Sequence, residues 1–162
     1  MHKIWITAFL TCLPGLSYAE GSIQIAVKLT PAGSFVAKSD RLKGDLSRTG
    51  AELTSQKLSV ALDSFKTGMT LRDEHFCKHL GCETQPKAIL SGLKASGGKG
   101  TGSLELNGIK REISFSYEEK DQTVLAKFDL NSADFKMPHA KYLGVEVNDV
   151  VNVEVRLPAP KK

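Results

Sequence analysis

The sequence predicts a mostly β protein of about seven or eight antiparallel strands with one short helix inserted between them. Three observations predict it. Apolar residues recur with period two in several separate runs, glycine- and asparagine-rich turn signals divide those runs, and one stretch, "TLRDEHFCKHLG", replaces the alternation with good helix formers. Period two sends successive side chains to opposite faces of a strand, so each run offers one apolar face to a core and one polar face to water.

The elements can be justified in order. "SIQIAVKLT" sets Ile23, Ile25, Val27 and Leu29 against polar or small neighbours, and "KLSVALD" does the same with Leu58, Val60 and Leu62. Further on, "EISFSY" alternates through Ile113, Phe115 and Tyr117, "TVLAKFDL" through Val124, Ala126, Phe128 and Leu130, and "VNVEVRL" through Val151, Val153, Val155 and Leu157. Each reads as a half-buried strand. Asn107-Gly108, between "GSLEL" and "IKREISFSY", is the strongest hairpin signal, because a two-residue type I′ turn needs positive φ at both positions. "TPAGS", "SRTG" and "SGGKGTG" mark further breaks. The helix is expected to start at Thr70, which forms a capping box with Asp73, and to end at Gly81. Phe76 and Leu80 lie four apart on the face that closes against the sheet, leaving His75 and His79 on the polar face. A helix of about ten residues persists only with such packing.

The start of the chain carries a different pattern. A short basic head, the apolar run "IWITAFLTCLPGL" and the small residues Ser17-Tyr18-Ala19 read as a secretory signal peptide over residues 1–19, cleaved near Ala19. Residues 20–162 are then one exported domain, periplasmic or secreted, with no stable membrane insertion expected, because no run approaches the length of a spanning helix. Cys12 leaves with the peptide, so of three cysteines Cys77 and Cys82 remain as a pair in an oxidising compartment. The formal net charge of +4 is spread along the chain, which gives no footprint for nucleic acid. Oligomeric state is not fixed by these features.

Chemistry-bearing residues are densest in "TLRDEHFCKHLGC". A disulfide between Cys77 and Cys82 fits the compartment and the even count. A metal site built from His75, Cys77, His79 and Cys82 has suitable donors, but on a helix Cys77 projects far from the face that the two histidines share. A catalytic redox pair expects C-x-x-C and not this C-x₄-C spacing. Arg72 and Asp73 read as a helix cap and an ion pair to a neighbouring turn; together with His75, their alternative role is contact with a ligand headgroup. His139, in "KMPHAKYLG", reads as a solvated loop histidine. No nucleophile elbow, metalloprotease helix, phosphate-binding glycine loop or acid pair is present, so no enzyme activity, catalytic residue, metal or other cofactor is expected.

Many short strands with one apolar face allow a two-sheet sandwich or a closed barrel. The inward set favours a barrel, since it mixes Val, Ile, Leu and Phe while the single Trp, Trp5, falls in the signal peptide. The order of several short motifs adds a resemblance. "LDSFKTGMTLRDEHF", with Thr67, Gly68, Arg72, Asp73 and His75, resembles the signature of the YceI-like family, and it is followed in family order by "QPKAIL" with Pro86 and Ile89, "GTGSLELNGIKREISF" with Gly102, Leu104 and Gly108, "SADF" with Asp134 and Phe135, and "VNDVVNVEVRL". Two positions depart from the family pattern: Asn131 stands in place of an Arg and Lys136 in place of a Gly.

The resemblance implies a lipocalin-like antiparallel barrel, exported in bacteria, whose interior holds a long amphiphilic lipid of the polyisoprenoid or quinone type for transport or storage. On that reading the wall is expected from Val60, Leu62, Ile89, Leu104, Ile113, Phe115, Phe128 and Val153, with Phe65, Phe76 and Phe135 near a closure. A prenyl chain of about twenty carbons buried there would contribute on the order of ten kcal/mol before ordering costs. A metal or redox module on the cysteine-histidine helix and a ligand-free interaction domain are the competing readings.

Overall fold

The alternating runs close on themselves. The structure, a computed structural model, describes residues 20–161; the expected signal peptide, its cleavage position and Cys12 lie outside the described residues. The strands are β1 Gly21–Thr30, β2 Ser34–Lys43, β3 Ser47–Thr49, β4 Glu52–Ala61, β5 Lys87–Ser96, β6 Lys99–Leu106, β7 Ile109–Lys120, β8 Thr123–Asn131, β9 Lys141–Tyr142, β10 Val145–Val147 and β11 Val150–Pro158. Eight of them form a ring in the order β1, β2, β4, β5, β6, β7, β8, β11, and β11 pairs back onto β1 from Ser22↔Arg156 to Ala26↔Asn152. Closure leaves no sheet edge around the ring and decides for the barrel over the sandwich. The short β3 pairs with β4, while β9 and β10 form a hairpin that extends from the end of β1.

The residues that alternation assigned to the inside are inside. Leu58 and Val60 on β4, Leu104 on β6, Phe115 on β7, Val124 on β8 and Val153 and Leu157 on β11 are all buried. Asn107 and Gly108 both have positive φ, 50° and 71°, as the predicted hairpin turn between β6 and β7 requires. Outside the ring the sequence reading misses the short β3, β9 and β10, and the ring strand it misses is β2. Its inward positions pass through Ser39 and its pattern shifts before Leu42, so no clean period two announces it.

Besides a register shift between Gly21 and Ile23 in the β1–β2 pairing, two irregularities shape the barrel. On β5 the register against β6 slips by one between Ser91 and Lys94, around Gly92 with φ 63°. This bulge lets Leu90 and Leu93, three residues apart, both face inward. The second irregularity is a narrow seam between β2 and β4. Only Leu42↔Val60 and Lys43↔Ser59 pair there, followed by an isolated bridge between Lys38 and Lys66. Between these contacts the Ser39 and Ser64 hydroxyls meet at 2.6 Å, with Ser64 also donating to the Ala61 carbonyl.

One end of the barrel collects the irregular structure. β4 runs out into a 3-10 turn, Leu62–Ser64, and then into α1, Thr70–Leu80, before β5 returns. The Asn107-Gly108 turn, the 3-10 turn Ser132–Phe135 after β8 and the β9–β10 hairpin sit at this same end, because antiparallel topology brings them there. We refer to it as the helix end. No helix among the described residues is long and apolar enough to cross a membrane.

Burial sets an expectation for stability. Leu53 is 1% exposed and its truncation to Ala should cost about 2–5 kcal/mol in urea unfolding, whereas Leu71→Ala, at 61% exposure on α1, should stay within about 0.5 kcal/mol of the parent.

Candidate functional site

The inward faces of the ring enclose a cavity of about 90 Å³. Twenty residues line it, and only Ser59 and Tyr117 among them carry a polar side-chain atom. It follows the barrel axis from Val60, Ala88 and Phe128 toward Leu46, Tyr117 and Leu157 at the end away from the helix. Such a wall offers chiefly dispersion contacts, since Ser59, between the inward Leu58 and Val60 and opposite Ile89, turns its hydroxyl to the outer face. Its chemistry is complementary to an apolar group.

Of the expected wall residues, Val60, Leu104, Ile113, Phe115 and Phe128 line this cavity. Val153 is buried but lies outside the lining, in register with Ile25 and Phe128. Leu62 is buried in the 3-10 turn that follows β4 and likewise stands off the wall. Ile89 requires a correction. Its neighbours Ala88 and Leu90 line the cavity, and alternation places Ile89 on the opposite face. "AIL" is three apolar residues in a row, so period two gave no parity there. Leu93 and Ala95 were overlooked because the bulge at Gly92 reverses that parity midway along β5. Leu42 was overlooked with β2.

The closure at the helix end is aromatic. Phe65, 3% exposed, and Phe76 of α1 meet edge to face with ring centroids 5.7 Å apart, and Phe76 meets Phe35 of β2 in the same manner at 6.2 Å. Phe135 is buried beside the β6–β7 turn, where its carbonyl accepts from the Asn107 side chain. Above this layer the Arg72 guanidinium lies 4.9 Å from the Phe35 ring centroid, a cation–π contact. Phe35 is the member of the closure that the sequence reading did not find.

The helix start also differs from expectation. Thr70 does not cap it: the N-cap is Met69, without a side-chain hydrogen bond. Asp73 instead turns back to accept from both the backbone N–H and the hydroxyl of Thr67, each at 2.7 Å, and lies 3.8 Å from Lys66. Two donors pre-positioned by the Thr67-Gly68 turn, where Gly68 has φ 85°, outcompete the capping geometry. These hydrogen bonds, the hydroxyl's first, hold the Asp73 carboxyl below its ordinary pKa, helped by Lys66 and Arg72. Thr67, Gly68, Arg72 and Asp73 thus form a clamp that sets the lid helix on the barrel. His75 is exposed on the outer face of α1.

At the far end of α1, Gly81 adopts the left-handed conformation and its N–H reaches the carbonyls of Cys77 and Lys78, ending the helix as expected. Cys77 and Cys82 are joined by a disulfide across this turn. With both sulfurs bonded to each other, and with no group of three or more His, Cys, Asp or Glu side chains placed to hold a metal ion among the described residues, the cysteine-histidine set does not converge as a centre. His79 turns toward the 140s loop, where burial is the main cause that lowers its pKa, against the pull of Asp149. His139 is exposed but not solitary. Its Nδ1 lies 2.9 Å from Asp149 and its Nε2 3.6 Å from Glu146, which in turn pairs with Lys141 at 2.6 Å. The Asp149 hydrogen bond is the leading cause that raises the His139 pKa.

The YceI-like domain matches residues 17–159. The chain belongs to the YceI-like family. Solved structures share its fold at low identity. BcnA of Burkholderia cenocepacia superposes with a TM-score of 0.68 at 15% identity over 86% of this chain and 96% of its own. A polyisoprenoid binding domain from Saccharophagus degradans, implicated in plant cell wall breakdown, gives 0.62 at 16% over 89% and 97%. The Campylobacter jejuni YceI protein gives 0.57 at 16% over 75% and 81%. No curated protein matches the sequence.

The two departures from the family pattern have local explanations. Asn131 caps the 3-10 turn after β8 by accepting from the Ala133 N–H at 3.1 Å, and Lys136 keeps φ at 52°, in the left-handed region where the family places glycine.

Two outcomes are expected at the lid. Replacing Cys77 and Cys82 by Ser frees a loop of separation 5 and should lower unfolding free energy by about 2 kcal/mol, read from denaturant midpoints. The histidines should titrate in opposite directions. His139, raised in the folded state, contributes stability that is full below about pH 6.5 and lost as pH rises through its folded value. His79, lowered, favours the folded state above about pH 6.5, and that contribution is lost as pH falls through its folded value. Imidazole NMR titration of Asp149→Asn should bring His139 back toward its ordinary range, and an unmoved His139 would remove Asp149 as the cause.

Proposed function

We propose that this protein is an exported lipid-binding protein that takes the apolar tail of a long amphiphile, of the polyisoprenoid or quinone type, into its barrel for transport or storage. One observation carries the reading: a barrel interior with an unfilled cavity whose twenty lining residues include only two polar side chains. A core under selection for stability alone fills such space, since an empty apolar volume forfeits dispersion contacts on every side. The family supports a lipid over other apolar cargo, because one relative of the same fold is a polyisoprenoid binding domain.

At about 90 Å³ the cavity is smaller than the roughly 300–1,000 Å³ of ordinary small-molecule pockets. Uptake of a prenyl chain therefore asks side chains along the wall, Leu90, Phe115 and Phe128 among them, to change rotamer and open the axis. The seam between β2 and β4 is where the ring can widen with the fewest backbone hydrogen bonds lost.

Native mass spectrometry of protein purified from its own exported compartment tests this directly. The expected result is an added mass of several hundred daltons that vanishes on denaturation and partitions into organic solvent. Ala126→Phe, which fills the cavity from its wall, should abolish that mass while the far-UV circular dichroism stays unchanged. Protein that is bare in both native spectra and after incubation with isoprenoid quinone would overturn the reading.

A further inference from the structure

Apolar exposure on this molecule is one-sided. Among the described residues the exposed large hydrophobic side chains are Val36, Met69, Leu71, Leu143, Val145 and Val150, and all six sit at the helix end. Single exposed apolar residues are ordinary, but their confinement to one end of a barrel is not what scattered surface composition produces. They form two lobes. Met69 and Leu71 begin α1, and Val36 lies on the outer face of β2 near its helix-end start. Leu143 tops the β9–β10 hairpin, with Val145 and Val150 behind it.

Leu143 is the most informative of these. It is 86% exposed and has φ 48°, in the left-handed region. A branched apolar side chain gains nothing from packing there and strains its backbone, so folding alone favours Asn or Gly at this position. Cations flank the first lobe. Lys38 and Lys66 are joined through a backbone bridge, Lys66 keeps its ammonium largely in water, and Arg72 lies on Phe35. Asp73 accepts from Thr67 through one carboxylate oxygen and lies 3.8 Å from the Lys66 ammonium through the other, so Lys66 is partly balanced while its ammonium stays exposed, and Lys38 and Arg72 add charge beside it. Protruding apolar tips with adjoining lysines and arginine suit insertion between lipid headgroups better than a flat protein contact, which needs a continuous patch of about 800 Å² per partner.

We infer that the helix end is a docking surface for an anionic phospholipid bilayer, with Met69, Leu71 and Leu143 entering the headgroup layer and Lys38, Lys66 and Arg72 meeting its phosphates. This rests on the lipid-binding reading for its purpose, since the aromatic closure and the seam lie directly beneath the same surface. A barrel seated this way would receive or release its cargo without exposing the chain to water.

Vesicle co-flotation tests the inference. The full exported chain is mixed with vesicles of phosphatidylcholine alone and of phosphatidylcholine with about one third phosphatidylglycerol, at about 0.05 and about 0.5 M salt. Binding to the anionic vesicles at low salt, weakened at high salt, is expected. Lys38→Gln and Lys66→Gln should each weaken it about fivefold, as loss of one surface cation does. Met69→Ser with Leu71→Ser should abolish it. Leu143→Asn should weaken it while raising the unfolding midpoint, which separates a docking role from a structural one. Lys120→Glu, at the opposite end, should leave it unchanged. Failure to float with anionic vesicles, or flotation untouched by the Met69/Leu71 and Leu143 variants, overturns the inference. Native mass spectra of the same variants should retain the bound mass. If the wild type floats yet carries no lipid mass, the docking surface stands and the cargo reading falls.

Discussion

Closure of β11 onto β1 is the constraint on which the rest depends. A sheet that meets itself must send every second side chain into a shared interior, and eight strands enclose a space that side chains almost fill. Whether a cavity remains is then decided by residue size at a few inward positions. Gly100 and Gly102 on β6 illustrate the balance: a Cβ at Gly100 would collide with the Phe115 ring and one at Gly102 with Leu90. The large residues on β5 and β7 lean into space that β6 leaves for them. The cavity is what remains after this interleaving, and its wall is apolar because the same alternation that buries these residues excludes polar ones.

Ring closure also explains why the residues that look most chemical are not at the cavity. Polar and titratable groups are pushed to the ends, where loops leave the barrel. At the helix end they become fasteners. Thr67 and Asp73 fix the start of α1, the disulfide fixes its end, and the His139, Asp149, Glu146 and Lys141 set ties the 140s loop together beside His79. The density of His, Cys and acid in residues 70–82 thus reflects how much holding a short helix needs when it rests on an aromatic layer.

Much of this was legible beforehand. Strands with strict alternation, such as "EISFSY" and "VNVEVRL", were found with correct inward faces, and Asn107-Gly108 located its hairpin without ambiguity. What failed did so where period two fails. β2 carries a buried Ser39 at an inward position, β5 reverses parity at Gly92, and "AIL" has no alternation to read, so Leu42, Leu93 and Ala95 went unseen and Ile89 was placed on the wrong face. The supposed capping box failed for another reason. Sequence shows which donors are near in number, and Thr67 wins Asp73 only because the turn at Gly68 folds it back.

The pairing of Ser22 with Arg156 brings the beginning of β1 and the end of β11 side by side, at the end away from the helix. Anything joined to the domain at Gly21 or beyond Pro158 leaves in the same direction, opposite to α1 and the β9–β10 hairpin. The molecule is therefore built like a plug on a cord: a tether, a fusion partner or an immobilising tag at either terminus holds it from behind and leaves the lid facing outward. A polarity of this kind comes from strand topology alone and survives changes in any individual side chain.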